Sequence, residues 1–227
     1  MAERENPPLP PPGIPRQGKK ADAEYLDRAN EIVDRVSTMA GLTVEDRVLD
    51  IGCGAGRFLT GMIATFGRVR SYTGLDVRKP VIDWALEAFT DPALGEIRFE
   101  WLDVTNSRYH ATGSASPADQ KLPVEDSSAD VAVLVSVFSH MTLEDTASYL
   151  REISRALAPG GRCYCTAFVE DGVPDWEENP ESYLRDWSGP LHCTLFNRSV
   201  FDGLVADAGL SIHAFERGLQ SEYVLTV

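Results

Sequence analysis

The chain lacks any apolar run approaching the roughly 20 residues that a membrane-spanning helix needs, so no transmembrane segment is expected. It also lacks the apolar core of a signal peptide. Residues 1–20 instead form a proline-rich tail, in which Pro7, Pro8, Pro10, Pro11, Pro12 and Pro15 favour polyproline II and deny a helix. A cytoplasmic location is the expectation that follows. Cysteine is scarce: the 4 present, Cys53, Cys163, Cys165 and Cys193, form no CxxC pair. Cys163 and Cys165 lie two apart along one strand, which is poor disulfide geometry, so reduced thiols are expected. No histidine stands at ligand spacing from a cysteine, which argues against a zinc site. Positive charge is short as well, with 21 Lys and Arg against 35 Asp and Glu and a net charge of −14. That field repels nucleic-acid phosphates and anionic lipid, so neither nucleic acid nor membrane is expected as a partner. The longest basic cluster, Arg16 to Lys20, is too short to offset it.

What is present is a length of 227 residues, enough to bury one sizeable core, and an alternation of strand and helix signals. Tyr25, Leu26, Ala29, Ile32, Val33 and Val36 recur at helical spacing over residues 22–39, with Gly41 as the stop. Strands are then expected at 47–51, 71–75, 97–102, 131–137 and 162–168. Helices are expected at 57–66, 80–89, 143–157 and 198–208, and a closing antiparallel pair at 210–215 and 223–227. Such repetition implies an α/β fold, a Rossmann-like, seven-stranded, mostly parallel sheet with helices on both faces and an antiparallel last strand. Ligands of such sheets bind beyond the carboxyl ends of the strands. Residues 21–227 read as a single domain, with 21–41 as its first helix. The stretches 103–128 and 169–196 are longer than ordinary connections, as functional loops often are.

The first strand runs into Asp50-Ile51-Gly52-Cys53-Gly54-Ala55-Gly56-Arg57. Closely spaced glycines let backbone approach a ligand that a Cβ would exclude. The spacing is GxGxG rather than the GxGxxG of dinucleotide binders, which disfavours a nicotinamide-dependent reductase. Residues 48–57 resemble the glycine-rich first motif of class I S-adenosylmethionine-dependent methyltransferases. Gly74-Leu75-Asp76-Val77, Trp101-Leu102-Asp103-Val104, Ala129-Asp130-Val131 and Leu157-Ala158-Pro159-Gly160-Gly161-Arg162 resemble the later motifs, in order. The resemblance spans about residues 40–227. It implies S-adenosyl-L-methionine as cofactor. Gly52, Cys53, Gly54 and Gly56 would pass under its methionine and ribose part, and Asp50 would hold that region. Asp76, with Val77 beside it, would accept the ribose hydroxyls, since a carboxylate offers only acceptors. Asp103 and the backbone of Val104 would take the adenine, and Ser136 would face the methionine end. Capping for Asp103 and a solvated turn for Asp76 are the plain alternatives.

The proline-rich entry, Asn106, Tyr109 and Gly113, and Ser136-Val137-Phe138-Ser139-His140-Met141 resemble a narrower subgroup associated with saccharide biosynthesis. The last motif departs from the Phe-Thr-His-Leu common there. The resemblance points to O-methylation of a small hydroxylated acceptor, a saccharide or glycosylated metabolite. Methyl transfer from a sulfonium needs an aligned acceptor and a base for its proton. His140 is the candidate base; a histidine capping the following helix is the alternative. Tyr109, His110, Trp176, Tyr183 and Trp187 are candidate acceptor contacts. A solvated acidic flap whose aromatics cover the core is the plainer reading of 169–190. His192 and His213 are weaker candidates. No carboxylate directly follows the fourth strand, where metal-dependent relatives place one, so no obligatory metal is expected. The tail and first helix read either as a lid or as an inert extension. Methylation of nitrogen or carbon, and non-catalytic cofactor binding, stand as rival functions. A monomer and a homodimer are both compatible with the sequence.

Overall fold

The computed structural model describes residues 7–16, 21–116 and 121–227, so Lys19, Lys20 and the start of the tail lie outside it. The chain divides into two compact units, residues 1–102 and 103–227.

The first unit holds α1 (Asp22–Ala40), β1 (Arg47–Ile51), α2 (Arg57–Phe66), β2 (Ser71–Asp76), α3 (Lys79–Ala88) and β3 (Glu96–Trp101). β2 pairs in parallel with β1 on one side and β3 on the other. This register brings Asp50 level with Gly74, so the ends of β1 and β2 lie side by side. α1 buries the stripe Tyr25, Ala29, Ile32, Val33, Val36 and Ala40 read from its periodicity, and Gly41 closes it at a φ of 65°. α2 meets α1 with backbone close to backbone: a Cβ on Gly61 would lie 2.5 Å from the Ala29 carbonyl oxygen. Alanine is worth up to about 1 kcal/mol over glycine in a helix, but overpacking against fixed backbone costs about 1–3 kcal/mol. Gly61→Ala is therefore expected to lower the melting temperature by several degrees; a melting curve at or above wild type would disprove the close approach. The described part of the tail packs on the same unit, with Thr60 Oγ1 donating to the Pro8 carbonyl at 3.4 Å and Arg16 paired with Asp22 at 2.6 Å.

The second unit holds β4 (Ala129–Leu134), α4 (Leu143–Ala156), β5 (Leu157–Glu170), β6 (Trp176–Glu178), β7 (Thr194–Asn197), α5 (Arg198–Asp207), β8 (Ser211–Glu216) and β9 (Ser221–Thr226). β5 is its spine. It pairs in parallel with β4 and antiparallel with β9, and its last residues pair in parallel with β7. β8 joins β9 antiparallel, as the closing pair predicts. The elements follow the Rossmann-like α/β order with a mostly parallel sheet and an antiparallel final strand. The expected count of seven strands becomes nine among the described residues. The two extra ones are β6, within the stretch 169–196 that the sequence presents as loop, and β7, which runs one residue past its end. They are short, and β7 is anchored by the far end of β5, which runs two residues beyond its expected limit of 168. β4 ends earlier than expected because Ser136 turns to a φ of 59°.

Candidate functional site

In the first unit the glycine turn is set by β2. The N–H groups of Gly52 and Cys53 both donate to the Leu75 carbonyl, at 2.7 and 3.0 Å. Gly52, Gly54 and Gly56 take φ values of 74°, 58° and 74°, a region that side chains resist and glycine enters freely. Asp50 and Asp76 are each only 4% exposed. Asp76 Oδ2 accepts from Gly54 N–H at 2.8 Å, so the second strand's carboxylate clasps the turn that follows the first. Arg78 returns to the same carboxylate, with its backbone N–H at 2.8 Å and its guanidinium at 3.1 Å. Val77 offers its carbonyl to Trp101 Nε1 at 2.9 Å. Asp50 accepts from the Tyr72 hydroxyl at 2.6 Å. Burial pushes the Asp50 carboxyl up to about 7, with the Asp76 charge adding and the Tyr72 hydrogen bond and the Arg57 charge opposing. The Cys53 thiol is buried and pushed up by burial, so it is inert packing beneath the turn.

This donor set fits the expected cofactor. An acid kept near neutrality by burial is poised to ionise beside a cationic head group, and a carboxylate at a strand end suits a diol. The residues that would hold it are Asp50, the turn 52–56 and Asp76. Tyr72 and Arg78 complete this set. Neither is visible in the sequence, because Tyr72 faces Asp50 only through strand register and Arg78 sits in an ordinary turn.

In the second unit Asp103 is part-exposed and accepts from His110 Nε2 at 2.7 Å and Ser114 N–H at 3.3 Å. The His110 and Ser114 hydrogen bonds hold its carboxyl below the usual carboxylate range. Val104 is buried and bridges to Ala115, which folds 103–115 into a tight loop. A Cβ on Gly113 would lie 2.2 Å from Thr105 N, so only glycine closes this loop. Asn106 Oδ1 accepts from the N–H groups of Arg108 and Tyr109, both at 3.1 Å, and Asn106 Nδ2 donates to the His140 carbonyl at 3.1 Å. Tyr109 meets the His140 ring edge to face at 5.4 Å.

His140 ends a 3-10 turn, Phe138–His140, after β4. Thr142 caps α4, its side chain accepting from Asp145 N–H. The imidazole has a different partner, the Leu191 carbonyl, at 2.9 Å from Nδ1. A carbonyl only accepts, so Nδ1 carries the proton and Nε2 keeps its lone pair. Burial pushes the imidazolium midpoint down to about 4, with the Arg108 and His192 charges adding and the Leu191 carbonyl opposing. Ser136 donates its backbone N–H to Thr166 Oγ1 at 2.8 Å and its hydroxyl to Gln220 Oε1 at 3.1 Å. Thr166 and Gln220 escape sequence reasoning because the β8–β9 hairpin alone carries the glutamine there.

The aromatic candidates separate. Trp176 donates Nε1 to the Met141 carbonyl at 3.3 Å, one residue past His140. Tyr183 and Trp187 pack edge-on against Phe168, over a small cluster with Cys193 and Leu195. His192 stands against Trp187, and His213 is exposed on β8. All 4 cysteines are buried and unbridged. Among the described residues no group of three or more His, Cys, Asp or Glu is placed to hold a metal ion, and no helix is long and apolar enough to cross a membrane.

The sequence profile of a family described as "Methyltransferase domain" matches residues 23–214. The 27-O-demethylrifamycin SV methyltransferase of Amycolatopsis mediterranei (strain S699) is 29% identical over 204 residues, 88% of this chain and 63% of that protein. The demethylmenaquinone methyltransferase of Listeria monocytogenes serotype 4a (strain HCC23) is 26% identical over 168 residues, 70% of this chain and 64% of that protein. The chain thus matches a little under two thirds of the length of these relatives. Among solved structures, CalO1, a methyltransferase in calicheamicin biosynthesis in its SAH-bound form, superposes with a TM-score of 0.59 at 17% identity, over 90% of this chain and 54% of that one. Motif order, fold and profile agree, and the chain belongs to the methyltransferase domain family.

Proposed function

We propose that this protein O-methylates a small hydroxylated molecule, a saccharide or glycosylated metabolite, with His140 as the base. The observation that carries the reading is the fixed tautomer of His140, whose Nδ1–H is spent on Leu191 so that Nε2 is left as an acceptor. When bound, S-adenosylmethionine supplies a methyl group on a cationic sulfur. Asp50 would steady its charged end and Asp76 its ribose. Nε2 of His140 would orient the acceptor hydroxyl and take its proton as the new bond forms. The rifamycin relative, named for an oxygen-linked position on a small natural product, supports an oxygen acceptor.

The low midpoint of His140 favours a second reading. A weak base suits a neutral amine or an activated carbon, which need less help than an alcohol. A panel of sugars, phenols and amines incubated with methyl-labelled S-adenosylmethionine separates the two by product mass. Label on sugar or phenol oxygen supports the proposal; label on amines alone overturns it. Cofactor uptake with no product across the panel would favour a non-catalytic binding protein.

A further inference from the structure

Arg108 makes no ion pair or hydrogen bond through its side chain among the described residues, and its Nε is buried without an acceptor. This occurs in a chain with 35 acidic residues against 21 basic ones. A guanidinium has five donors and keeps its charge at any ordinary pH, and a buried N–H with no acceptor is costly and rare. The group is nonetheless held in place. Its backbone N–H is tied to Asn106 Oδ1, and its guanidinium lies over the Tyr109 ring at 5.4 Å. Tyr109 in turn touches the His140 ring, and Asn106 is bonded to the His140 carbonyl. Asn106 thus builds one constellation of a fixed cation, an aromatic wall and a neutral imidazole. Arg108 and His192 are the ionisable groups that act most on His140.

We propose that Arg108 and His140 form an acceptor site for an anionic molecule, one that carries a carboxylate near the hydroxyl to be methylated. The guanidinium takes the carboxylate in a bidentate pair. Its field also stabilises negative charge developing on the hydroxyl oxygen, so a weakly basic imidazole suffices to remove the proton. In the transfer, the acceptor oxygen forms the new O–C bond, the sulfonium C–S bond breaks with its pair left on sulfur, and the proton ends on Nε2. This narrows the acceptor class and rests on the methyltransferase reading above.

The test is calorimetry on the full chain saturated with S-adenosylhomocysteine, using salicylate and glucuronate, each against its amide. At least one acid is expected to bind the wild type tenfold or more tighter than its amide. Arg108→Gln should abolish that preference and Arg108→Lys should retain part of it, with S-adenosylhomocysteine affinity and melting temperature unchanged in both. Equal affinity for acids and amides, no binding of any acid, or a preference that survives Arg108→Gln would overturn the proposal. Wild-type protein that takes up no S-adenosylhomocysteine would remove the cofactor reading, and this proposal with it.

Discussion

Asp50→Asn is expected to stabilise the ligand-free protein at pH 8, to leave it no more stable at pH 5, and to weaken cofactor binding at least tenfold. The sign follows from linkage. The folded-state midpoint of Asp50 is raised from 3.8 to about 7. Between those values the unfolded chain has lost the proton that the folded chain retains, so stability falls as pH rises through the window and is flat above it. The change from 3.8 to about 7 corresponds to on the order of 4 kcal/mol at pH 8. Asparagine removes that penalty and still accepts from Tyr72, but it buries an amide N–H₂ at a cost of about 1–3 kcal/mol. The net gain is about 2 kcal/mol, or about 5 °C in melting temperature for a chain of this size. At pH 5, only a little above the unfolded value of 3.8, on the order of 1–2 kcal/mol of that penalty has accumulated, and the amide cost offsets it. Melting curves at the two pH values, with S-adenosylhomocysteine titrations, check both parts. An equal change at both pH values would show that the folded-state midpoint of Asp50 is not raised into this range. The acid assigned to cofactor binding would thus also be a local source of instability when the cofactor is absent.

His140→Ala is expected to reduce turnover by about 100- to 1000-fold, the range of a lost general base, with S-adenosylhomocysteine affinity unchanged. The depressed midpoint fixes the pH dependence. The imidazole stays unprotonated until about pH 4, so its loss of activity on acidification belongs there and not near 6.5. A fall in activity near 7 would instead report the protonation of Asp50, and Asp50→Asn would erase it. For stability His140 acts in the opposite direction to Asp50. The unfolded imidazole gains a proton below 6.5 while the folded one does not until about 4, so stability drops as pH falls through that window. The two slopes oppose each other between pH 4 and 6.5. Wild type should show a flat melting profile there, and Asp50→Asn should expose a slope that rises with pH. Unchanged turnover in His140→Ala would remove His140 from the mechanism.

The first unit was legible because its chemistry is local. β1 and α2 take the bounds expected from the sequence, since the glycine turn between them leaves the backbone few alternatives. Asp50 and Asp76 could be placed because strand ends are visible as breaks in apolar runs. Tyr72 and Arg78 could not, since strand register decides the first and a side-chain rotamer the second. In the second unit His140 was visible as a polar residue following a buried strand. Its partner was not. Leu191 reads as an ordinary apolar loop residue, but it sits at a φ of 46°, with its N–H on Glu178 and its carbonyl on the imidazole. β6 and β7 were hidden for the same reason: strands this short are set by the pairing partner rather than by their own residues.

The Leu191 contact bears on how such an enzyme changes its substrate. The stretch between β6 and β7 supplies the carbonyl that dictates which imidazole nitrogen is basic, so it cannot be exchanged as an independent module. A transplanted segment of different length would release the ring as well as reshape its surroundings. New specificities on this scaffold should therefore arise more readily by side-chain changes around a retained backbone than by insertion or wholesale replacement there.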